Sequence, residues 1–187
     1  MAVVDLAWQT TAAVAPEDVW KTLSRGTADE HGKLDASLSA LPLHTDAGTA
    51  AFIAAMAAAV PGVEAALSSA ATGTPLAPWA ARGRADTLPD APAKSVEIDS
   101  EAAGWGAAYV LEGSRLGGRL LHRRYALLAR QPFFRDATLP SVWAAFLNDL
   151  RDADERLCDR AAMLTGALTA FRAFTDAIEP GSELPQR

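Results

Sequence analysis

Apolar residues recur at helical spacing along most of the chain. Leu157, Ala161, Leu164, Leu168 and Phe171 follow one another at steps of four, three, four and three, so they lie on one side of a helix. Helices are expected over residues 15–40, 45–60, 62–71, 78–86 and 100–130, followed by one that Pro140 opens and a last one that ends near residue 178. The pattern predicts an all-α fold, a single-domain bundle of about seven helices.

Capping residues mark several of the expected helix ends. Thr45 and Ser100 stand at N-cap positions, and Pro61 is expected to end the second helix. Residues 88–99, which contain prolines, are predicted to form a loop rather than a domain linker, because no change in composition flanks them.

The first predicted helix carries an unusual inward residue. Leu23, Thr27, His31, Leu34 and Leu38 lie three or four residues apart and share one face. This spacing places His31 in mid-helix, pointing inward. An imidazole on such a face is either a core histidine bonded to a carbonyl or water, or an axial ligand to a haem iron.

Glycines interrupt the fifth predicted helix. Gly113, Gly117 and Gly118 fall within six residues, and together they cost a helix about 2–3 kcal/mol relative to alanine. Something in the fold must offset this cost. A bare backbone suits either the close approach of another helix or a flat ligand lying against it.

Length and composition narrow the class of protein. The 187 residues suit one domain, with an N-terminal arm over residues 1–14, a helical domain over 15–178 and a flexible tail over 179–187. A net charge of −6 argues against nucleic acid as the main partner. Cys158 is the only cysteine, so no intrachain disulfide can form, and a cytoplasmic location is expected. No signal-peptide pattern and no run of 18 apolar residues is present, and no membrane contact is predicted.

Other polar residues offer weaker candidates. His44 is expected in a solvated turn and His122 on a polar helix side, and no histidine pair has the spacing of a zinc or di-iron site. Glu112 is interpreted as an ion-pair residue. Arg82 and Arg84 are expected to be exposed. A stripe formed by Arg115, Arg119 and Arg123 is either a solvated face or a clamp for carboxylates.

Two stretches resemble one known family. Residues 27–35, with His31 and a following Leu34-Asp35, resemble the proximal helix of bacterial haem (heme) oxygenases. Residues 109–118, Tyr-Val-Leu-Glu-Gly-Ser-Arg-Leu-Gly-Gly, resemble the distal helix, especially that of the biliverdin-producing branch found beside bacteriophytochromes. The resemblance extends over about residues 20–178 and implies a haem oxygenase-like bundle.

The resemblance also implies a chemistry. Haem would be substrate and cofactor, His31 would be the iron ligand, and Gly113, Ser114, Gly117 and Gly118 would form the catalytic distal wall. Cleavage by dioxygen would yield biliverdin, Fe²⁺ and CO, with electrons from a ferredoxin, a flavoprotein reductase or ascorbate. A bacteriophytochrome would be a possible acceptor of biliverdin. The animal-type pattern has an aspartate where this chain has Ser114, so the resemblance implies that either Ser114 with water or another group such as Arg115 serves in proton delivery.

Basic residues are candidates for binding the two haem propionates. Arg25, Lys33 and Arg151 are proposed for the mouth of the slot, and Arg115 for its distal side. Two alternatives remain at this point. One is a non-catalytic haem-binding or haem-handling protein of the same fold, and the other is a helical domain that binds another small molecule or a partner.

Overall fold

The computed structural model describes residues 17–134 and 139–178. Within these ranges it contains seven α-helices, three short 3₁₀ helices and no strand. The α-helices are α1 (Val19–Gly26), α2 (Ala28–Ala40), α3 (Asp46–Ala70), α4 (Ala77–Ala80), α5 (Glu101–Arg124), α6 (Pro140–Leu157) and α7 (Arg160–Ile178). The predicted all-α class is confirmed. The predicted arm over 1–14 and tail over 179–187 lie outside the described residues.

Helices α5 and α7 form the centre of the bundle, and α2, α3 and α6 pack around them. Two glycines allow the close crossing of α5 and α7. A Cβ atom on Gly106 would lie 1.7 Å from the Met163 carbonyl oxygen, and one on Gly166 would lie 1.9 Å from that of Ala103. Side chains are therefore excluded at this crossing, and the two backbones contact each other directly.

The prediction that Pro61 ends a helix is wrong. Helix α3 continues from Asp46 through Pro61 to Ala70. The neighbouring Val60 and Val63 are fully buried, so packing offsets the hydrogen bond that a proline removes. The extended segment that follows α4 also approaches here: the Lys94 amide donates to the Ala58 carbonyl at 3.1 Å.

The first predicted helix is two helices. Helix α1 ends at Gly26 and α2 begins at Ala28, with Thr27 at the break. The Thr27 hydroxyl donates to the Leu23 carbonyl at 2.8 Å, a backbone bond of the kind that bends helices. Consequently His31 lies in the first turn of α2 and not in mid-helix.

Other predicted boundaries were partly right. Thr45 and Ser100 are confirmed as N-caps, because their hydroxyls accept from the amides of Gly48 at 3.0 Å and Ala103 at 3.2 Å. Residues 88–99 form the predicted loop. The fifth helix ends at Arg124 rather than near residue 130, and the fourth covers only four residues. A short 3₁₀ turn, Leu128–Arg130, replaces the missing part of the fifth.

Helix α3 is long and apolar enough to cross a membrane by length and composition alone. Half of its most apolar window is buried in the bundle, against α5 and α7. A core helix of a globular protein passes the same test, so this observation is weak evidence for a membrane span.

Candidate functional site

His31 is exposed, so the prediction of an inward imidazole is wrong in this structure. Its side chain is 59% accessible, and its Nδ1 atom lies 3.0 Å from a carboxylate oxygen of Asp35, one turn further along α2. The edge of the ring contacts Phe171 of α7, with ring centroids 5.6 Å apart. Within the described residues, Nε2 makes no hydrogen bond. Of the two ring nitrogens, one is oriented by a carboxylate and the other is open to a ligand.

Helix α2 has an uncovered face around His31. None of its residues is buried, although Leu34 and Leu38 pack partly against the core on the same side as the histidine. Leu23 and Thr27, which continue this face into α1, are buried. The apolar face predicted from the sequence therefore exists, but it is fully buried only at Leu23 and Thr27 and is partly covered along α2.

One side of the second half of α5 carries no side chains at Gly113 and Gly117, and we call it the bare side. Apart from its own helix, no atom of the described residues lies within 4 Å of a Cβ built on Gly117, and Gly113 would meet only the Trp143 ring, at 3.8 Å. Gly118 is different, because its Cβ would lie 3.3 Å from the Phe134 ring. Close approach of another helix therefore does not explain Gly113 and Gly117. The observation fits the alternative, in which the glycines leave room for a ligand.

Aromatic residues border this bare side. Tyr109 lies one turn before Gly113, and its ring is 5.7 Å from that of Trp143 on α6. Burial raises the pKa of the Tyr109 phenol, while its neighbour Ser24 on α1 acts in the opposite direction. Tyr109 is therefore neutral at physiological pH. Helix α7 packs against both α2 and α5.

A buried ion-pair cluster lies on the opposite side of α5. The Glu112 carboxylate, 3% exposed, lies 2.9 Å from Arg82 Nε and 3.1 Å from Arg115 Nε. The Arg115 side chain also donates to the Arg82 carbonyl. Glu112 is the ion-pair residue that the sequence indicated. Arg115 is 5% exposed, so its assignment to a solvated stripe or to a clamp for haem carboxylates is wrong: its guanidinium is turned into the protein.

Arg84 is also buried, contrary to the prediction of an exposed residue. Its guanidinium donates to Ser114 Oγ at 2.7 Å and lies 3.9 Å from the centroid of the Phe133 ring. The Ser114 hydroxyl donates in turn to the Leu111 carbonyl at 2.7 Å. The Glu64 carboxylate accepts from the backbone amides of Arg84 and Ala85, at 2.9 Å each. Ser114 is thus bonded into the interior of the protein.

Sequence reasoning missed Arg84 and Glu64 as members of this cluster. Glu64 stands alone in the apolar run that surrounds it in α3, and an isolated carboxylate in such a run indicates a buried partner. Arg84 gave no comparable signal, because its partner Ser114 is 30 residues away in the chain.

The basic residues proposed for propionates lie on the surface, and each forms an ion pair with a carboxylate. Arg25 pairs with Glu17, and Arg151 lies 2.9 Å from Asp18. Lys33 lies 2.9 Å from Glu30, whose hydrogen bond and charge raise the lysine pKa. All three side chains are at least 42% exposed, and surface pairs of this kind contribute little and exchange readily.

A groove of about 400 Å³ lies elsewhere, between α3 and residues 127–131. It contains none of the predicted site residues. A second, much smaller space of about 10 Å³ lies beside the Glu112 cluster. Among the described residues, no group of three or more histidine, cysteine or acidic side chains has the geometry of a metal site.

Comparison with known proteins gives one informative match. The chain is 37% identical to a protein of Xanthomonas campestris pv. campestris (strain 8004) named "Heme oxygenase" over 83 residues, which are 40% of this chain and 49% of the relative. The match therefore spans about half the length of that relative. No family model and no solved structure matches the chain. The similarity supports a relationship to haem oxygenases over part of the chain.

Proposed function

We propose that the chain is a haem oxygenase, which binds haem through His31 and cleaves it with dioxygen and electrons to biliverdin, Fe²⁺ and CO. The observation that carries the proposal is the arrangement around His31: the Asp35 carboxylate orients Nδ1, and Nε2 is open on a helix face that is only partly covered. The partial similarity to a protein named "Heme oxygenase" supports the same reading.

The residues present fit haem. We define the candidate slot as the space between the His31 side of α2 and the Gly113–Gly117 side of α5. A Cβ on Gly117 would project into open space, so the absence of side chains there leaves room for a flat molecule. Bound haem supplies the iron, the porphyrin and the activation of dioxygen.

The chain's own residues have distinct roles in this proposal. His31 binds the iron, and the Asp35 carboxylate fixes its ring orientation and increases its basicity. Gly113 and Gly117 admit the reacting edge close to the α5 backbone, whereas Gly118 allows the close approach of the Phe134 ring beside them. Leu34 and Leu38 provide apolar contact for the macrocycle. Arg25, Lys33 and Arg151 remain the proposed propionate partners, and each would exchange a surface carboxylate for a haem carboxylate.

Electrons come from outside the chain in this proposal, from a ferredoxin, a flavoprotein reductase or ascorbate. A bacteriophytochrome is the proposed acceptor of biliverdin, and the cytoplasm is the proposed compartment. Proton delivery to the reacting oxygen involves ordered water beside Ser114, since this position carries no acid.

Hemin titration tests the binding step. We expect a shifted Soret band in the unmodified protein and its loss in His31→Ala. His44→Ala is the matched control, because His44 is also an exposed histidine but lies in the turn before α3, and it should retain the band. A Soret band that persists in His31→Ala would contradict the proposed ligand.

Aerobic turnover tests the reaction. With ascorbate or a ferredoxin system, we expect the Soret band to decay and biliverdin absorption to appear, with CO released in equal amount. Chromatography of the product then identifies the biliverdin isomer.

A second candidate is a haem-binding protein without catalysis. The observation that favours it is Ser114, which stands in place of an acid and whose hydroxyl already donates to the Leu111 carbonyl. In that case hemin binds through His31, but the Soret band is stable under air and reductant. The turnover experiment separates the two candidates.

A further inference from the structure

The hydroxyl of Ser114 has little bonding capacity left. A serine hydroxyl has one hydrogen to donate and two lone pairs that accept. Its hydrogen is directed to the Leu111 carbonyl at 2.7 Å, and one lone pair accepts from Arg84 at 2.7 Å. One lone pair remains. Toward the candidate slot, Ser114 can therefore accept a hydrogen bond but cannot donate one.

Arg84 is held firmly in the position that produces this arrangement. It is 5% exposed, its backbone amide is bonded to the buried Glu64 carboxylate, and its guanidinium lies against the Phe133 ring. A guanidinium in contact with an aromatic face and bonded to a hydroxyl has few alternative rotamers. The orientation of Ser114 is thus set by a residue from a different part of the chain.

Ser114 lies at the border of the bare side of α5. It follows Gly113 directly and lies three residues before Gly117, so in a helix it flanks the face that these two glycines leave open. The buried cluster, with Glu112 and Arg115, lies further around the same helix. Ser114 therefore connects Arg84 to the border of this open face.

We propose that Arg84 is a positioning residue for the candidate haem slot, because it makes Ser114 a hydrogen-bond acceptor only and so fixes the polarity at the edge of the slot. The inference rests on the proposed function. A water molecule in the slot would donate to Ser114, and the proton that the reaction consumes would have to come from water rather than from the serine hydroxyl.

Nuclear magnetic resonance of the arginine guanidinium groups tests the geometry directly. We expect a slowly exchanging Arg84 signal that shifts in Ser114→Ala without haem. Paramagnetic ferric hemin should broaden this signal more than diamagnetic gallium protoporphyrin does. The matched control is Arg156, which bonds to Glu101 at the start of α5 and therefore lies about 20 Å along the helix from Ser114.

Turnover of single and double variants tests the functional consequence. We expect Arg84→Met and Ser114→Ala each to lower the turnover rate about tenfold, and the double variant to be no worse than either, because both break one coupled unit. Arg84→Lys, which retains a donor, should recover most of the rate. Hemin affinity should change by less than about twofold in all four. Arg156→Met is the control that keeps the original rate.

Several results would overturn the inference. One is a double variant in which the two losses of turnover rate multiply. Another is an Arg84→Lys variant as slow as Arg84→Met. A third is a loss of turnover rate that follows a loss of hemin affinity. If Arg84→Met does not fold, Ser114→Ala and the guanidinium spectra decide. An unperturbed Arg84 signal in a protein that binds hemin through His31 overturns this inference alone. Absence of a His31-dependent Soret band in the unmodified chain overturns the proposed function with it.

Discussion

The two halves of α5 use glycine for opposite purposes. In the first half, Gly106 lets the backbone of α7 approach so closely that a Cβ would lie 1.7 Å from a carbonyl oxygen. In the second half, no atom from the other described parts of the chain lies within 4 Å of a Cβ on Gly117. The first glycine is required by contact, while the second is not explained by any contact among the described residues. The same residue type in one helix thus marks a packing site and a candidate ligand site.

The largest expected effect comes from filling the packed half. Gly106→Ala should lower the free energy of unfolding by about 3 kcal/mol or prevent folding, because its Cβ would overlap rigid backbone. The gain of about 1 kcal/mol in helix propensity is too small to offset this. Urea denaturation of the soluble variant provides the measurement. A stability equal to that of the original chain would show that α5 and α7 do not cross this closely.

The buried cluster behind the second half should respond almost as strongly. Glu112→Gln leaves Arg82 and Arg115 without their shared carboxylate, and breaking such a buried pair costs about 3 kcal/mol. Thermal denaturation monitored by circular dichroism measures the loss. Glu155→Gln, at an exposed position of α6, is the control and should be neutral.

Side chains introduced at Gly117, in the open half of α5, should change hemin affinity and the free energy of unfolding independently. Gly117→Ala is expected to raise the free energy of unfolding by up to about 1 kcal/mol, since no atom opposes the new methyl group. Gly117→Leu should also fold but lower hemin affinity by at least about tenfold, if the slot lies on this side of the helix. Parallel denaturation and hemin titration measure the two effects. A Gly117→Leu variant with unchanged affinity would contradict the location of the slot.

The smallest expected effect concerns the start of α5. A hydrogen bond from Arg156 lowers the pKa of Glu101, so the folded state holds this carboxylate ionised more tightly than the unfolded chain does. The contribution of Glu101 to the free energy of unfolding is therefore fully present above the ordinary carboxyl pKa. It is lost as the pH falls through the lowered pKa. Glu101→Gln should remove that part of the acid sensitivity. The pair is partly exposed, so the effect is below about 1 kcal/mol, measurable by urea denaturation across acidic pH.

Local sequence patterns were enough to predict several helix ends. The predicted helix after Ser100 was right at its start, because the serine hydroxyl accepts from the third amide of the helix through local bonds. Helix α6 begins at the predicted Pro140, and α7 ends at the predicted residue 178. The prediction that Leu157 belongs to the last helix is wrong: it ends α6, because Cys158 adopts a left-handed conformation that stops the helix before α7 begins at Arg160. Pro61 was misleading, because a proline in a helical pattern usually ends the helix. Here the packing of its fully buried neighbours offsets the hydrogen bond that the proline removes.

The sequence by itself determined the all-α class and drew attention to His31 and the three clustered glycines, because helix period, caps and interior glycines are properties of neighbouring residues. Only the tertiary structure decided which glycines are packed and which are open. It also showed that His31 is exposed, and that Arg84 and Arg115 are buried. The physical reason is that burial of a charged residue, or packing of a glycine, depends on the groups that contact it. The groups that contact Arg84 and Gly106 come from distant parts of the chain.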